Sequence, residues 1–116
     1  MFRSATQADV DQFYDEPPGY TMRAIVAELD GRVLAVAGTY RAKDHIYAFS
    51  EMKDEMRGRK RDILRMAAVT MPLVRRHVQV IAFASKTEKS SQRFLKWLGF
   101  IHHGPSENGE VYLWQQ

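Results

Sequence analysis

The segment from residue 45 to residue 77 constrains the fold of this chain more than any other. Residues 46–52 form an apolar and aromatic run suited to a β-strand, and residues 53–61 are polar and basic. Apolar residues then recur at three- and four-residue steps, which predicts an amphipathic helix. The recurring residues are Ile63, Leu64, Ala67, Ala68, Met71 and Val74. Residues 78–84 follow as an almost unbroken apolar run, typical of a strand buried on both faces, so the segment predicts a parallel β-α-β crossover.

Basic residues crowd the predicted start of this helix. They are Arg57, Arg59, Lys60 and Arg61, with Gly58 among them. The amides at a helix N-terminus point outward without partners and carry partial positive charge. Fixed cations at such an end favour an anion, above all a phosphate. The alternative is an exposed, solvated first turn whose charge nearby carboxylates partly offset.

Pro72 interrupts the helical pattern. A proline inside a helix removes one backbone hydrogen bond, and its ring clashes with the carbonyl four residues earlier, here that of Ala68. The residue before a proline is also disfavoured in the helical conformation. We therefore expect a kink at Pro72 or an end of the helix near Thr70.

Turn and cap signals divide the rest of the chain. Asp30 and Gly31 predict a two-residue type I′ turn between two strands. Thr6 and Asp9 resemble a capping box that opens a short helix, and Gly99 is placed to end another. The further predictions are strands over residues 1–5, 22–29, 32–40, 100–103 and 111–114, a helix over 90–98, a turn near 42–44, and loops over 15–20, 85–89 and 104–109. This order predicts an α+β fold, in which helices flank a mixed, mostly antiparallel sheet of about six to seven strands.

The composition excludes several classes of protein. The 116 residues suit a single domain over residues 1–116, and an apolar fraction of 45% argues against disorder. The absence of cysteine excludes disulfides and zinc–thiolate sites and is compatible with the cytoplasm. No apolar run approaches the roughly 20 residues of a membrane span. The net charge of +3 and the pI near 9.3 suit a polyanion, but the basic stretch has no interleaved aromatics, which argues against nucleic acid.

The histidines and tryptophans of the sequence give no stronger indication of a functional site. His102 and His103 are adjacent on a predicted strand and point to opposite faces, so both cannot hold one metal ion, and we expect no metal site. Trp97 and Trp114 are either partner contacts or packing residues, and packing is the default interpretation.

Two short motifs, at residues 57–64 and at residues 94–100, together with the order of the elements, resemble the GNAT superfamily of acyl-CoA-dependent N-acetyltransferases. Residues 57–64, Arg-Gly-Arg-Lys-Arg-Asp-Ile-Leu, lie where that family carries its pyrophosphate loop, between the fourth strand and the long helix. Residues 94–100, Phe-Leu-Lys-Trp-Leu-Gly-Phe, resemble the family's late segment, which joins a helix end, a C-cap glycine and the start of a strand. The resemblance covers nearly the whole chain and implies the GNAT (acyl-CoA N-acyltransferase) fold.

The resemblance also implies a reaction, the transfer of an acetyl group from acetyl-CoA to an amine acceptor. In the family the pyrophosphate rests on the loop, and the pantetheine arm lies in the splay between the fourth and fifth strands. The implied cofactor-binding residues are Met52, Lys53, Arg57, Gly58, Arg59, Lys60, Arg61, Asp62, Ile63 and Ser90. Glu51 is the implied general base, which requires apolar neighbours that raise its pKa toward neutrality. The alternative for Glu51 is a solvent-facing carboxylate paired with a neighbouring cation.

Some positions depart from the family pattern. The departures are Lys60, Asp62, Glu88 and Leu95. The first two stand where the family has small residues, and side chains there obstruct or repel a pyrophosphate. Leu95 replaces the tyrosine that often protonates the leaving thiolate. The candidate replacement acids are Tyr112, Tyr47 and Tyr40, each of which is otherwise a packing residue of the sheet.

These departures also resemble the degenerate GNAT-like proteins of tailed bacteriophages. In those proteins the late segment includes Arg-Phe-Leu-Lys, as residues 93–96 do here. This second resemblance implies a catalytically inactive protein of the same fold, acting in virion assembly or through protein contacts. Its partner would be another protein or a second copy of the chain, and its setting the host cytoplasm or the virion.

Overall fold

The computed structural model describes residues 1–16 and 18–116, and these form seven strands and four helices. The strands are β1 (Phe2–Ser4), β2 (Met22–Leu29), β3 (Arg32–Ala42), β4 (His45–Met52), β5 (Gln79–Ala84), β6 (Ile101–Ser106) and β7 (Gly109–Gln115). The helices are α1 (Gln7–Phe13), α2 (Asp54–Arg57), α3 (Lys60–Val74) and α4 (Lys89–Trp97). One mixed sheet contains all of these strands in the order β1-β2-β3-β4-β5-β7-β6, so the predicted α+β fold is confirmed. In this part of the chain, no helix has the length and apolar composition needed to cross a membrane.

The local start and turn signals act as predicted. The Asp9 amide donates to the Thr6 hydroxyl at 3.3 Å, and the Thr6 amide donates to the Asp9 carboxylate at 2.8 Å, so the capping box opens α1. Asp30 and Gly31 have φ values of 52° and 80°, as a type I′ turn between β2 and β3 requires. A second turn with positive φ joins β3 to β4 at Lys43. The predicted loop over residues 15–20 includes Pro17, which lies outside the described residues.

The two faces of the sheet carry their helices unevenly. On one face, called here the helical face, α3 packs along β2 and β3, where Met66 joins a buried cluster with Ala27 and Ala35. The C-terminal half of α3 and helix α4 cover β5 and β7, where Met71 contacts a cluster that includes Ala82 and Tyr112. On the other, called here the open face, α1 packs on β2 and β3, where Phe13 and Val36 share a second buried cluster. No helix of the described residues packs on β5 to β7 from the open face. The open face is therefore uncovered over half of the sheet.

The predicted parallel crossover is confirmed, and it leaves a gap in the sheet. α3 connects β4 to β5, which run parallel. The two strands pair only at Tyr47 and Ile81. Beyond that pair they diverge, so their C-terminal halves do not exchange backbone hydrogen bonds with each other. This splay lies at the end of the sheet where α3 begins.

The predicted end of the long helix near Thr70 is wrong. α3 runs through Pro72 to Val74. Pro72 falls in the last turn, where only one backbone donor is lost, and the Arg75 amide still donates to the Met71 carbonyl at 2.9 Å. The Thr70 hydroxyl adds a bond to the Met66 carbonyl at 2.7 Å. The helix therefore tolerates its proline.

The structure adds to or departs from the sequence interpretation at four other places. Leu64 and Ala68 are exposed, because α3 turns Met66, Ala67, Thr70 and Met71 toward the sheet. The run over residues 78–84 is not buried on both faces, since Val78 and Phe83 are exposed and only the helical face of β5 is covered. The polar stretch after β4 contains the short helix α2. Residues 104–106 belong to β6, where Gly104 has a φ of 124° beside a shift in register.

Candidate cofactor cleft and acceptor face

A cleft of about 620 Å³ lies between α3 and α4 on the helical face. Its floor is the splay, and its apolar lining includes Ala48, Ala82, Ile63, Ala67, Phe94 and Leu98. Because β4 and β5 do not pair there, backbone amides and carbonyls at the floor are available to a ligand. The cleft therefore suits a long, largely apolar chain that carries a few amide groups.

The mouth of the cleft is positively charged, with one carboxylate across it. Arg57 and Lys60 line the cleft where α3 begins, and the first amides of α3 have no intrahelical acceptor. The Arg57 guanidinium lies 3.5 Å from Asp54 and 3.7 Å from Glu88, the residue before α4. Glu88 also lines the cleft, so the Arg57–Glu88 ion pair spans its mouth. An anion that enters has to displace Glu88 from Arg57.

Half of the residues predicted to hold the cofactor line this cleft. Those that line it are Met52, Arg57, Lys60, Ile63 and Ser90, and those outside the lining are Lys53, Gly58, Arg59, Arg61 and Asp62. The Lys53 ammonium donates to the Phe13 carbonyl at 3.1 Å, next to α1. The Asp62 carboxylate lies 2.9 Å from Arg59 and 3.9 Å from Arg65. These cations offset the charge of Asp62, whereas the other departures from the family pattern, Lys60, Glu88 and Leu95, line the cleft.

Glu51 lies on the open face, on the other side of the sheet from the cleft. Its register partner is Val36, which packs with Phe13 of α1. The Glu51 side chain is exposed and forms no ion pair with a cation of residues 1–16 and 18–116. Its titratable partner is Tyr14, at the end of α1. Burial, and then the Glu51 carboxylate, raise the pKa of the Tyr14 phenol above its usual value.

The splay joins the cleft to the open face. Phe49 and Phe83 belong to the open face of β4 and β5, and both also line the cleft. Glu51 lies two residues beyond Phe49 on the same face of β4. A ligand group at the floor of the cleft therefore lies against the splay, and Glu51 lies on the opposite side of the sheet.

The predicted replacement acids, Tyr40, Tyr47 and Tyr112, are not among the residues that line the cleft. Leu95 lines the cleft and packs on the buried cluster, as a side chain without a proton to donate. Tyr112 is fully buried, and its hydroxyl donates to Gln92 of α4 at 3.2 Å. Tyr40 and Tyr47 lie on the open face, where their rings stack at 5.3 Å.

Tyr14 and Tyr20 are the residues of the open face that sequence reasoning missed. Both flank the loop after α1, and the Tyr20 ring stacks on Tyr40 at 4.1 Å. In the sequence, two tyrosines on either side of a short loop are only a weak indication of a functional site. Only the packing of α1 on β3 brings Tyr14 to Glu51.

Comparisons with known proteins find similarity in structure and not in sequence. No protein-family model matches the chain, and no curated protein matches it. The ribosomal-protein-S18-alanine N-acetyltransferase from Escherichia coli superposes with a TM-score of 0.62 at 14% identity, over 97% of this chain and 90% of that one. An acetyltransferase from Agrobacterium tumefaciens gives 0.59 at 13% identity, over 84% and 62% of the two chains. A domain from Methanocaldococcus jannaschii gives 0.63 at 12% identity, over 100% and 97%.

This chain has the GNAT fold. The expected architecture, drawn from the motifs at residues 57–64 and 94–100, is confirmed. At these identities the similarity extends to the fold alone.

Proposed function

We propose that this chain binds acetyl-CoA in the cleft and transfers its acetyl group to an amine that approaches from the open face. The observation that carries the proposal is the splay, which is reached from the cleft on one side and from Glu51 on the other. Arg57, Lys60 and the first amides of α3 would hold the pyrophosphate. The unpaired backbone of β4 would hold the amide groups of the pantetheine arm.

In the proposed reaction Glu51 is the general base and water supplies the proton for the thiolate. Glu51 takes a proton from the acceptor ammonium, directly or through a water. The neutral amine then attacks the thioester carbonyl carbon, the carbon–sulfur bond breaks as the carbon–nitrogen bond forms, and the nitrogen releases its second proton to water. The thiolate takes a proton from water, because Leu95 has none to give. The products are the N-acetyl amine and CoA, and the cytoplasm supplies the acetyl-CoA.

Calorimetric titration with acetyl-CoA and with CoA tests the binding step. We expect micromolar affinity and a rise in the unfolding temperature that follows ligand concentration. The absence of both binding heat and thermal stabilisation at millimolar ligand would refute the proposal.

Glu51→Gln tests the chemical step. Because Glu51 lies across the sheet from the cleft, the variant should bind acetyl-CoA as the parent does. It should lose about 10²–10⁴-fold in amine acetylation, measured by thiol release and mass spectrometry. Glu107→Gln, in the exposed turn before β7, is the matched control. Equal rates for Glu51→Gln and the parent would remove Glu51 from the reaction.

The alternative proposal is an inactive GNAT-fold protein of a tailed bacteriophage, acting in virion assembly or through protein contacts. It is favoured by Leu95, which packs where the family's tyrosine acid would stand, and by Lys60 and the Arg57–Glu88 pair at the mouth. Under this proposal neither acetyl-CoA nor CoA binds, and the chain is recovered with assembling particles. The titration above separates the two proposals.

A further inference from the structure

Four aromatic rings form a continuous row across the open face. Tyr20 stacks on Tyr40 at 4.1 Å, Tyr40 on Tyr47 at 5.3 Å, and Tyr47 on Phe83 at 5.9 Å, with ring planes within 20° of parallel in each pair. This aromatic row runs from the loop after α1, over β3 and β4, to β5 at the splay. Tyr20 and Phe83, at its two ends, are exposed.

The row lies in an uncovered and apolar part of the sheet. Next to it on the same face, Ile81 pairs with Leu113, which pairs in turn with the exposed Ile101 at the edge of the sheet. A contiguous exposed apolar surface of this kind marks an interaction site in a folded protein. Aromatic side chains supply much of the binding energy at such sites, because they bury a large area at a small cost in conformational entropy.

The open face is also acidic where it meets the splay. Glu51 is exposed there beside the Tyr14 phenol and forms no ion pair with a cation of the described residues. The exposed carboxylates of Asp15 and Glu16 follow Tyr14 in the chain. The Lys53 ammonium is held by the Phe13 carbonyl and lies over the Phe13 ring at 4.7 Å. The charge beside the aromatic row therefore complements a cation, such as the ammonium of an acceptor.

We propose that the aromatic row is the docking surface for a polypeptide acceptor, whose terminal or lysine amine reaches Glu51. This inference rests on the function proposed above and names the substrate class of the same site. Alternate residues of β4 place Tyr47, Phe49 and Glu51 on one face, so Glu51 lies roughly 13 Å along the strand from the row. An extended chain covers that distance in about four residues. Residues near the acceptor amine therefore contact Phe49, and the next residues contact the row.

The shape of this face favours a polypeptide over a small amine. Small ligands are usually held in concave pockets that bury 70–90% of their surface. The cleft lies on the helical face, and a second concave space, of about 390 Å³, is lined by residues 5–7, Val10 and residues 18–22, which do not include Glu51. A polypeptide can cover a broad surface, and its backbone groups can bond the hydroxyls of Tyr20, Tyr40 and Tyr47.

A second copy of this chain is a poorer occupant than an amine-bearing polypeptide. A twofold interface places the same patch on both subunits, so a dimer centred on this face would bring its acidic residues close together. Like charges placed close together at an interface disfavour association. An amine supplies the opposite charge.

The test is direct binding, measured by chemical shifts of the ¹⁵N-labelled chain. The probe is an equimolar mixture of six-residue peptides of randomised sequence with free α-amino groups, and the control is the same mixture with acetylated N-termini. We expect the amides of Tyr20, Tyr47, Glu51 and Phe83 to shift, and the acetylated mixture to bind at least threefold more weakly. The measurement needs no acetyl-CoA. Peptide binding can therefore be absent while acetyl-CoA binds, and acetyl-CoA binding can be absent while peptides bind.

Tyr20→Ala supplies the matched variant. Tyr20 is 39% exposed at the end of the row, so its removal should leave the fold intact and weaken peptide binding about fivefold or more. Trp97→Ala, 66% exposed on α4, should leave peptide binding unchanged. The inference is overturned by the absence of shifts on the row at millimolar peptide, by tighter binding of spermidine than of peptides, or by sedimentation as a dimer whose interface buries the row.

Discussion

At the scale of single residues, the mouth of the cleft depends on the partners of Arg57. Its guanidinium lies near both Asp54 and Glu88, at 3.5 and 3.7 Å, and all three side chains are at least half exposed. Pairs of this kind contribute about 0–1 kcal/mol, because water screens them. An entering anion can therefore replace Glu88 at Arg57 at little cost. What remains unfavourable to an anion is the negative charge of Glu88 itself.

Glu88→Gln is predicted to tighten the binding of CoA about 3–10-fold, because it frees Arg57 and removes a carboxylate from the anion's path. Arg57→Gln should weaken binding by a similar factor. Calorimetry at low ionic strength measures both effects, which should shrink as salt screens them. The control is Arg41→Gln, because Arg41 is exposed on β3 and lies away from the mouth of the cleft. Unchanged affinity in Glu88→Gln would mean that the phosphates bind elsewhere.

At the scale of elements, β2 and β3 lie very close together at Gly38. A Cβ atom built there would lie 2.0 Å from the Arg23 carbonyl oxygen and 2.6 Å from the Ala24 Cα. No side chain fits at that distance without moving the backbone of one strand. Gly38 also lines the cleft, so this close approach helps to shape its floor.

Gly38→Ala is predicted to destabilise the fold by about 1–3 kcal/mol, because the added methyl group forces β2 away from β3. The unfolding temperature should fall by about 4 °C or more, measured by circular dichroism. Gly58→Ala is the matched control, since a Cβ there meets nothing within 4 Å and Gly58 has a helical backbone. If both variants have the same unfolding temperature as the parent, β2 and β3 can move apart more easily than their spacing indicates.

At the scale of the whole molecule, Arg3 ties the N-terminal elements together. Its guanidinium on β1 donates to both Asp9 oxygens at 2.5 and 2.7 Å, and to Glu28 of β2 at 2.9 Å. Asp9 belongs to α1 and is buried. The Arg3 hydrogen bond holds the pKa of the Asp9 carboxyl well below its usual range, assisted by the Thr6 amide and hydroxyl. One buried carboxylate thus links α1 to the edge of the sheet.

The sign of the resulting pH dependence follows from this lowered pKa. Asp9 contributes stability above its unfolded pKa of about 4, and the contribution is lost as the pH falls from there toward the folded value. We expect Asp9→Asn to cost about 1–3 kcal/mol at pH 7 and to flatten the acid limb of the stability curve, measured by urea unfolding from pH 7 to pH 2. Asp11→Asn, exposed on the same helix, should follow the parent curve. A parent-like acid limb in Asp9→Asn would contradict the role of the Arg3 pair.

The sequence by itself determined the elements that depend on near neighbours. The Thr6–Asp9 box, the turn at Asp30 and the helix end at Gly99 all join residues within a few positions of each other, so local chemistry decides them. The strand–helix–strand crossover followed from hydrophobic periodicity. From these elements and two motifs the fold could be named, and five residues that line the cleft could be listed.

The tertiary structure decided which side chains share a face and which meet. Strand residues alternate between faces, so the placement of Glu51 across the sheet from the cleft depends on the register that packs Val36 against α1. The Arg57–Glu88 pair joins residues on either side of α3 and β5. The aromatic row combines four separate segments of the chain. Such contacts depend on how distant elements pack, which local sequence does not encode.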